Sequence, residues 1–156
     1  MINKKRTTIA GLVVSASLLV SVAVNEGYRG EAYTPVKGDV PTIGFGETQG
    51  VKLGQKTDPV RSLIVLENDL DQRKVALAKL IHVPLYQYEL DSYMDFAYNV
   101  GLENFRTSTL LKLLNQEKYQ EACKELLKWD KFHGKVLNGL KLRREQEYKT
   151  CIGDNK

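Results

Sequence analysis

The chain has 156 residues, 42% hydrophobic and 27% charged, with a formal net charge of +4. That length fits one domain, in one or two lobes around a shared core, and the composition is that of an ordinary soluble globular protein. The positive charge favours polyanionic partners, but Lys and Arg alternate with acids, as in Lys124-Glu125 and Arg144-Glu145, without a basic stripe or an interleaved aromatic platform, so nucleic acid is not an expected partner.

The N-terminus departs from this composition. Lys4, Lys5 and Arg6 precede an uncharged run over residues 7–25. As a helix this run would span about 28 Å, close to the hydrocarbon thickness of a bilayer. The basic flank would hold the N-terminus in the cytoplasm and place everything after Asn25 outside the inner membrane. Thr7, Thr8, Gly11, Ser15, Ser17 and Ser21 interrupt the apolar residues, so the anchor is marginal. A permanent anchor, a signal peptide cleaved after Ser21-Val22-Ala23, a reversible anchor and a buried core helix all remain open at this stage. The first three export the rest of the chain.

Two cysteines, Cys123 and Cys151, sit in helical stretches near the C-terminus. In an oxidising compartment they can bridge; otherwise they are two structural thiols. His82 and His133 are far apart, with no metal-ligand spacing. No metal, no cofactor and no Ser-His-Asp triad is expected.

Past Asn25 the elements follow in order. Residues 32–50 are rich in Gly, Pro, Thr and Val, and Lys37-Gly38-Asp39 reads as a turn between short strands. Asp58 caps a helix with Pro59 at its first position. Leu63, Leu66, Leu70, Leu77, Leu80 and Ile81 carry its apolar face up to a break at His82-Val83-Pro84. A second helix ends at Gly101, a third is capped by Thr107 and runs through Leu114, and two more cover residues 118–128 and 137–150. The fold class is α+β, a small hairpin lobe against a larger helical lobe with a cleft between them that suits a polymeric substrate.

Glu26 ends the first helix just before the hairpin, on which Asp39 and Thr42 lie. A helix-end carboxyl facing hairpin groups across a cleft has the parts for glycoside hydrolysis. One carboxylic acid, kept protonated in a poorly solvated site, protonates the glycosidic oxygen, and a second group stabilises charge or activates water. Most carboxylates are solvated surface groups, so spacing alone is a weak signal.

The segment E-G-Y-R-G-E-A-Y from Glu26, then P-T-I-G-F-G from Pro41, resembles the active-site region of the phage lysozymes of glycoside hydrolase family 24. F-A-Y-N-V-G (96–101), S-T-L-L (108–111) and W-D-K-F-H-G-K-V-L-N-G-L-K-L-R-R (129–144) extend the resemblance over nearly the whole chain after the apolar run. It implies a lysozyme-like fold and an endolysin hydrolysing the β-1,4 bond between N-acetylmuramic acid and N-acetylglucosamine in peptidoglycan. It matches Glu26 to the family's acid and Thr42 to its water-positioning Thr. The family's intervening Asp or Cys has no counterpart at its usual spacing, where Pro35 stands. Two readings stay open: Asp39 takes that role, with Glu31 the weaker candidate, or Glu26 and Thr42 suffice with a differently held water. Asn99 resembles a cleft residue contacting sugar, or caps its helix. Arg143 or Arg144 resembles an Arg paired with the catalytic Glu. Trp129, Phe96, Tyr98 and Phe105 are expected in the core.

The N-terminal run resembles the signal-anchor-release segment of some phage endolysins. That implies residues 1–25 as the anchor and 26–156 as the catalytic domain, inactive at the inner membrane and then released to the periplasm when the potential is lost. A depolarising partner of holin type would supply the trigger, and Gly11, Ser15 and Ser17 would make the run leave. Two rivals are a lytic transglycosylase and a non-catalytic, membrane-anchored envelope-binding module.

Overall fold

A computed structural model describes residues 5–154; Lys4, the first residue of the basic flank, lies outside them. The elements in chain order are α1 (Ala16–Glu26), β1 (Arg29–Tyr33), β2 (Thr42–Gly44), α2 (Pro59–Ala78), α3 (Gln87–Val100), α4 (Leu102–Thr107), α5 (Thr109–Leu114), α6 (Tyr119–Glu125), β3 (Lys131–Phe132), β4 (Lys135–Val136) and α7 (Asn138–Cys151). The fold is α+β, with helices around one core and two short antiparallel ribbons.

The apolar run is not one helix here. Ile9–Gly11 forms a single 3₁₀ turn, residues 12–15 are extended, and only then does α1 begin. Ser15 starts it by accepting the Leu18 N–H at 3.0 Å. Leu18, Val22 and Ala23 enter the common core, whereas Val13, Val20 and Val24 remain exposed. No helix among the described residues is long and apolar enough to cross a membrane. Because α1 runs from Ala16 to Glu26, the segment expected as an anchor and the expected catalytic domain share a helix.

Helix α2 begins as its sequence dictates: the Asp58 carboxylate accepts from Arg61 N–H at 3.0 Å and Pro59 occupies the first turn. It ends at Ala78, so Leu80 and Ile81 lie in the turn beyond it. Helix α3 ends at Gly101, whose φ of 88° favours glycine. The third predicted helix is two. Residues 102–107 form α4, and Ser108, rather than Thr107, caps α5 by accepting from Leu111 N–H at 3.1 Å. The short ribbon β3–β4 had no alternating apolar pattern to announce it, and its residues are exposed. Cys123 and Cys151 form a disulfide between α6 and α7, with 5.7 Å between Cα atoms.

The hairpin pairs Arg29 with Gly44 and Tyr33 with Thr42, and residues 34–41 form its loop. Gly44 sits where β2 crosses α2. A Cβ there would stand 2.8 Å from the Ser62 hydroxyl, so only glycine allows this approach. That contact sets the hairpin's height above the helical lobe.

Candidate active site

Glu26 is the last residue of α1. The chain leaves the helix at Gly27, whose φ is 72° and whose N–H bonds Ala23 C=O at 3.0 Å. The turn projects the Glu26 side chain, one quarter exposed, at the junction of α1 with the hairpin. Arg143 of α7 donates from Nη1 to Glu26 Oε1 at 3.1 Å. The other oxygen faces the turn after β2: a Cβ on Gly46 would lie 3.7 Å from Glu26 Oε2 and 3.7 Å from the Tyr98 hydroxyl. One oxygen is therefore held by Arg143, and the other lies opposite Gly46, at contact distance from where a side chain there would begin.

From Gly46 and Tyr98 a cavity of about 360 Å³ runs between the turn after β2 and α2, past Phe45, Glu47, Asp69 and Arg73. Tyr98 donates to Phe45 C=O at 3.4 Å, and the Arg73 guanidinium lies over its ring at 4.5 Å. Burial, with the charges of Asp69 and Glu26, pushes the Tyr98 phenol up to about 12, so it remains a neutral donor at physiological pH. The groove mixes polar groups with two aromatic residues, Phe45 and Tyr98, which suits a sugar chain.

Arg143 is itself held. Asp95 Oδ1 accepts from its Nη2 at 2.6 Å and its Nε at 3.2 Å, and Glu147 lies 3.4 Å from Nε. Burial works against the charged guanidinium, but Asp95, Glu26 and Glu147 together hold it above the usual arginine value. Arg144, one residue on, points inward. It is 1% exposed, bonds Glu147 at 2.9 Å and Asn99 Oδ1 at 2.8 Å, and lies 5.0 Å from the Phe96 ring centre. Burial pulls its pKa down.

The structure thus brings Glu26 and Arg143 together and places Arg144 and Asn99 in a second pair behind them. Asn99 is in the last turn of α3, two residues before the cap. Thr42 opens β2, is 8% exposed and donates to Val40 C=O at 3.3 Å. Asp39 is exposed in the hairpin loop, its N–H bonded to Val36 C=O at 2.9 Å. Glu31 is also exposed, and its strand pairs at that point with Lys56. Phe96 and Phe105 are core residues as expected, and Trp129 is partly buried against them. Tyr98, expected in the core, is only partly buried there and faces the cavity. Among the described residues no group of His, Cys, Asp and Glu could hold a metal.

Sequence reading missed Asp95, Glu147 and Gly46. Asp95 had a signal: Asp91 and Asp95 are carboxylates four apart in a helix that also carries Leu90, Tyr93, Met94, Phe96 and Ala97, and both are buried. Buried carboxylates need partners, and these reach across to α1.

A hairpin lobe packed over a helical lobe, with a helix-end carboxyl where they meet, is the lysozyme-like arrangement, and the class it defines is that of glycoside hydrolases. Residues 23–147 match the model of the Phage lysozyme family. The endolysin of Bacillus phage B103 is 40% identical over 124 residues, 78% of this chain and 47% of that protein, so the chain spans about half of that relative's length. The SAR-endolysin of Enterobacteria phage PA-2 is 34% identical over 146 residues, 91% of this chain and 88% of that one. The crystal structure of a P22 lysozyme mutant superposes with a TM-score of 0.80 at 31% identity, covering 90% of this chain and 98% of that one. The chain belongs to the phage lysozyme family, glycoside hydrolases that cleave peptidoglycan.

Proposed function

We propose that Glu26 is the general acid of a muramidase that cuts between N-acetylmuramic acid and N-acetylglucosamine, working with Thr42 and Asp39 of the hairpin. The observation that carries this reading is the asymmetry of the Glu26 carboxyl, with Oε1 fixed by Arg143 and Oε2 opposite Gly46. The glycan lies along the groove between the turn after β2 and α2. Glu26 gives its proton to the glycosidic oxygen as the C1–O bond breaks. Water adds to C1 from the hairpin side, oriented by the Thr42 hydroxyl, and its proton passes to the Asp39 carboxylate. Preorganisation matters here because a carboxyl fixed in one orientation loses no time or entropy in finding the leaving oxygen.

Glu26→Gln keeps the shape and removes the proton. Lysis of permeabilised cells, followed by turbidity, should fall at least about a hundredfold. Mass spectrometry of the parent's products should show reducing ends; anhydro-sugars would make the enzyme a transglycosylase. Asp39→Asn should cost more activity than Glu31→Gln, and the opposite ranking would move the second role to Glu31.

The same reading includes a membrane stage. Residues 7–25 first span the inner membrane with Arg6 inside, then leave it when a depolarising partner of holin type dissipates the potential. The domain then folds in the periplasm with α1 in place. The SAR-endolysins among the relatives and the basic flank support this. A transmembrane helix over 7–25 and the 3₁₀ turn, extended piece and short helix of the folded form exclude each other. Glu26 at the membrane surface would be severed from Arg143, which explains why the anchored form would be inactive.

A further inference from the structure

Behind the Glu26–Arg143 pair, one buried carboxylate connects three helices. Asp95 of α3 is 5% exposed. Its Oδ1 receives two bonds from the Arg143 guanidinium, leaving Nη1 free to reach Glu26. Its Oδ2 accepts from the Ser21 hydroxyl at 2.7 Å and from Asn25 Nδ2 at 3.4 Å, both on the helix that carries Glu26. Donor and acceptor of the Arg143–Glu26 bond are therefore both referred to the same carboxylate.

We propose that Asp95 is a positioning residue for the hydrolysis: it orients Arg143 toward Glu26, registers α1 against α7, and offsets part of the guanidinium charge that Glu26 would otherwise face. This rests on the reading of Glu26 as the acid. An arginine fork gripped at Nε and Nη2 has one remaining direction for Nη1, so the grip determines where the Glu26 carboxyl is held. The charged groups around Arg143 are Glu26 from α1, Asp95 from α3, and Arg144 and Glu147 from α7. Neutralising Asp95 leaves Arg143 with Glu26 and with Glu147, whose carboxyl burial pushes up to about 8. More of the Arg143 charge then falls on Glu26.

A second carboxylate makes a control. Asp91, one turn earlier on α3, also ties down α1, accepting from Ser15 at 2.7 Å and from Gln87 at 2.8 Å, but it does not bond Arg143. Any effect of merely fastening α1 should appear equally in both.

The test compares the full-length parent with Asp95→Asn and Asp91→Asn on soluble peptidoglycan fragments across pH. Asn retains a carbonyl for Arg143 and turns an amide toward Ser21, whose hydroxyl can accept from it, while Asn25 Nδ2 loses its long 3.4 Å acceptor. Asp95→Asn should lower kcat about tenfold to a hundredfold with KM within about twofold. It should also move the basic limb of the pH–kcat profile to lower pH, because Asp95 no longer offsets the Arg143 charge. Asp91→Asn should lower Tm and leave kcat and the limb unchanged. In an Arg143→Met background, Asp95→Asn should cost nothing further. Should Asp95→Asn fail to fold, Ser21→Ala removes one bond to Oδ2 while keeping every charge, and should lower kcat several-fold at constant KM. A parental kcat and limb in Asp95→Asn, or the same losses in Asp91→Asn, overturns the proposal. If Glu26→Gln is inactive in that case, the acid assignment stands without it; if Glu26→Gln is active, that assignment has failed on its own.

Discussion

Arg6 and Glu89 lock the N-terminal flank onto α3: Nε and Nη2 of Arg6 both donate to the Glu89 carboxylate, at 2.8–3.2 Å, while the guanidinium lies 4.5 Å from the Tyr86 ring centre and 3.7 Å from that of Tyr119. Beside it Thr7 and Leu85 exchange both backbone hydrogen bonds, at 2.8 and 2.7 Å. The residue expected on the cytoplasmic side of a membrane is thus bound into the folded protein 83 residues away.

Removing that lock should destabilise the fold and spare the chemistry. Glu89 is 2% exposed, and leaving it without its cation costs about 3 kcal/mol. Arg6→Gln should lower Tm by roughly 5–10 °C with kcat unchanged. A parental Tm would show that the flank contributes nothing.

The release step is best probed at positions that the fold does not use. Ser15 caps α1 and bonds Asp91, so changing it would damage the folded state as well. Ala10, Ala16 and Ser17 are exposed. Converting these three to Leu should favour the bilayer by roughly 1–3 kcal/mol in total on insertion scales. The variant should stay in the membrane fraction after depolarisation, while the parent moves to the periplasm at full length. Equal release of both proteins, or a parent cleaved after Ala23, would eliminate the mechanism.

Gly46 combines a φ of 97° with a place beside Glu26, where a Cβ would stand 3.7 Å from Oε2. Gly46→Ala should lose about 1 kcal/mol of stability from the backbone and at least about tenfold in kcat/KM from the methyl beside Oε2. Gly54, with a φ of 88° and nothing within 4 Å of its would-be Cβ, isolates the first effect. Gly54→Ala should lose similar stability at full activity. Equal activity losses in the two variants would mean that backbone strain alone is responsible.

The Cys123–Cys151 bridge closes a loop with a sequence separation of 28. Chain-entropy reasoning puts its contribution at about 3.5 kcal/mol. Differential scanning calorimetry under reductant should show Tm falling by about 10 °C. Two titratable thiols in protein isolated from the periplasm would show that the bridge does not form there.

Glu147 gives the fold a pH dependence. Burial pushes it up to about 8, against the pull of Arg144 and Arg143. An unfolded glutamate titrates near about 4.3. Between these values the folded protein holds a proton that the unfolded chain has released. This group's stabilisation is therefore complete below the unfolded value and is lost as pH rises through the folded one. Tm should fall between about pH 5 and pH 8 in the parent, and more shallowly in Glu147→Gln. Parallel curves would place the proton elsewhere.

Local chemistry made much of this fold legible in the sequence. Asp58-Pro59 can start a helix by its own side chain and ring, and Gly101 can end one because its φ costs little; neither needs a distant partner. The α+β class likewise followed from the change between a Gly- and Pro-rich segment and helical periodicity. Thr107 and Ser108 show the limit of local reasoning, since both can cap: the Thr107 hydroxyl turns back to Glu103 C=O, and Ser108 takes the cap. Arg143 and Arg144 show it for the site. Adjacent residues on a helix point about 100° apart, and only the placement of α7 against α1 and α3 decides which one reaches Glu26. The apolar run is the sharpest case. Its sequence is compatible with a bilayer span and with a core helix because both environments reward the same side chains. Only tertiary partners distant in sequence, Asp91 and Asp95 for the α1 hydroxyls and Glu89 for Arg6, define the folded alternative, in which the segment delivers Glu26 to Arg143.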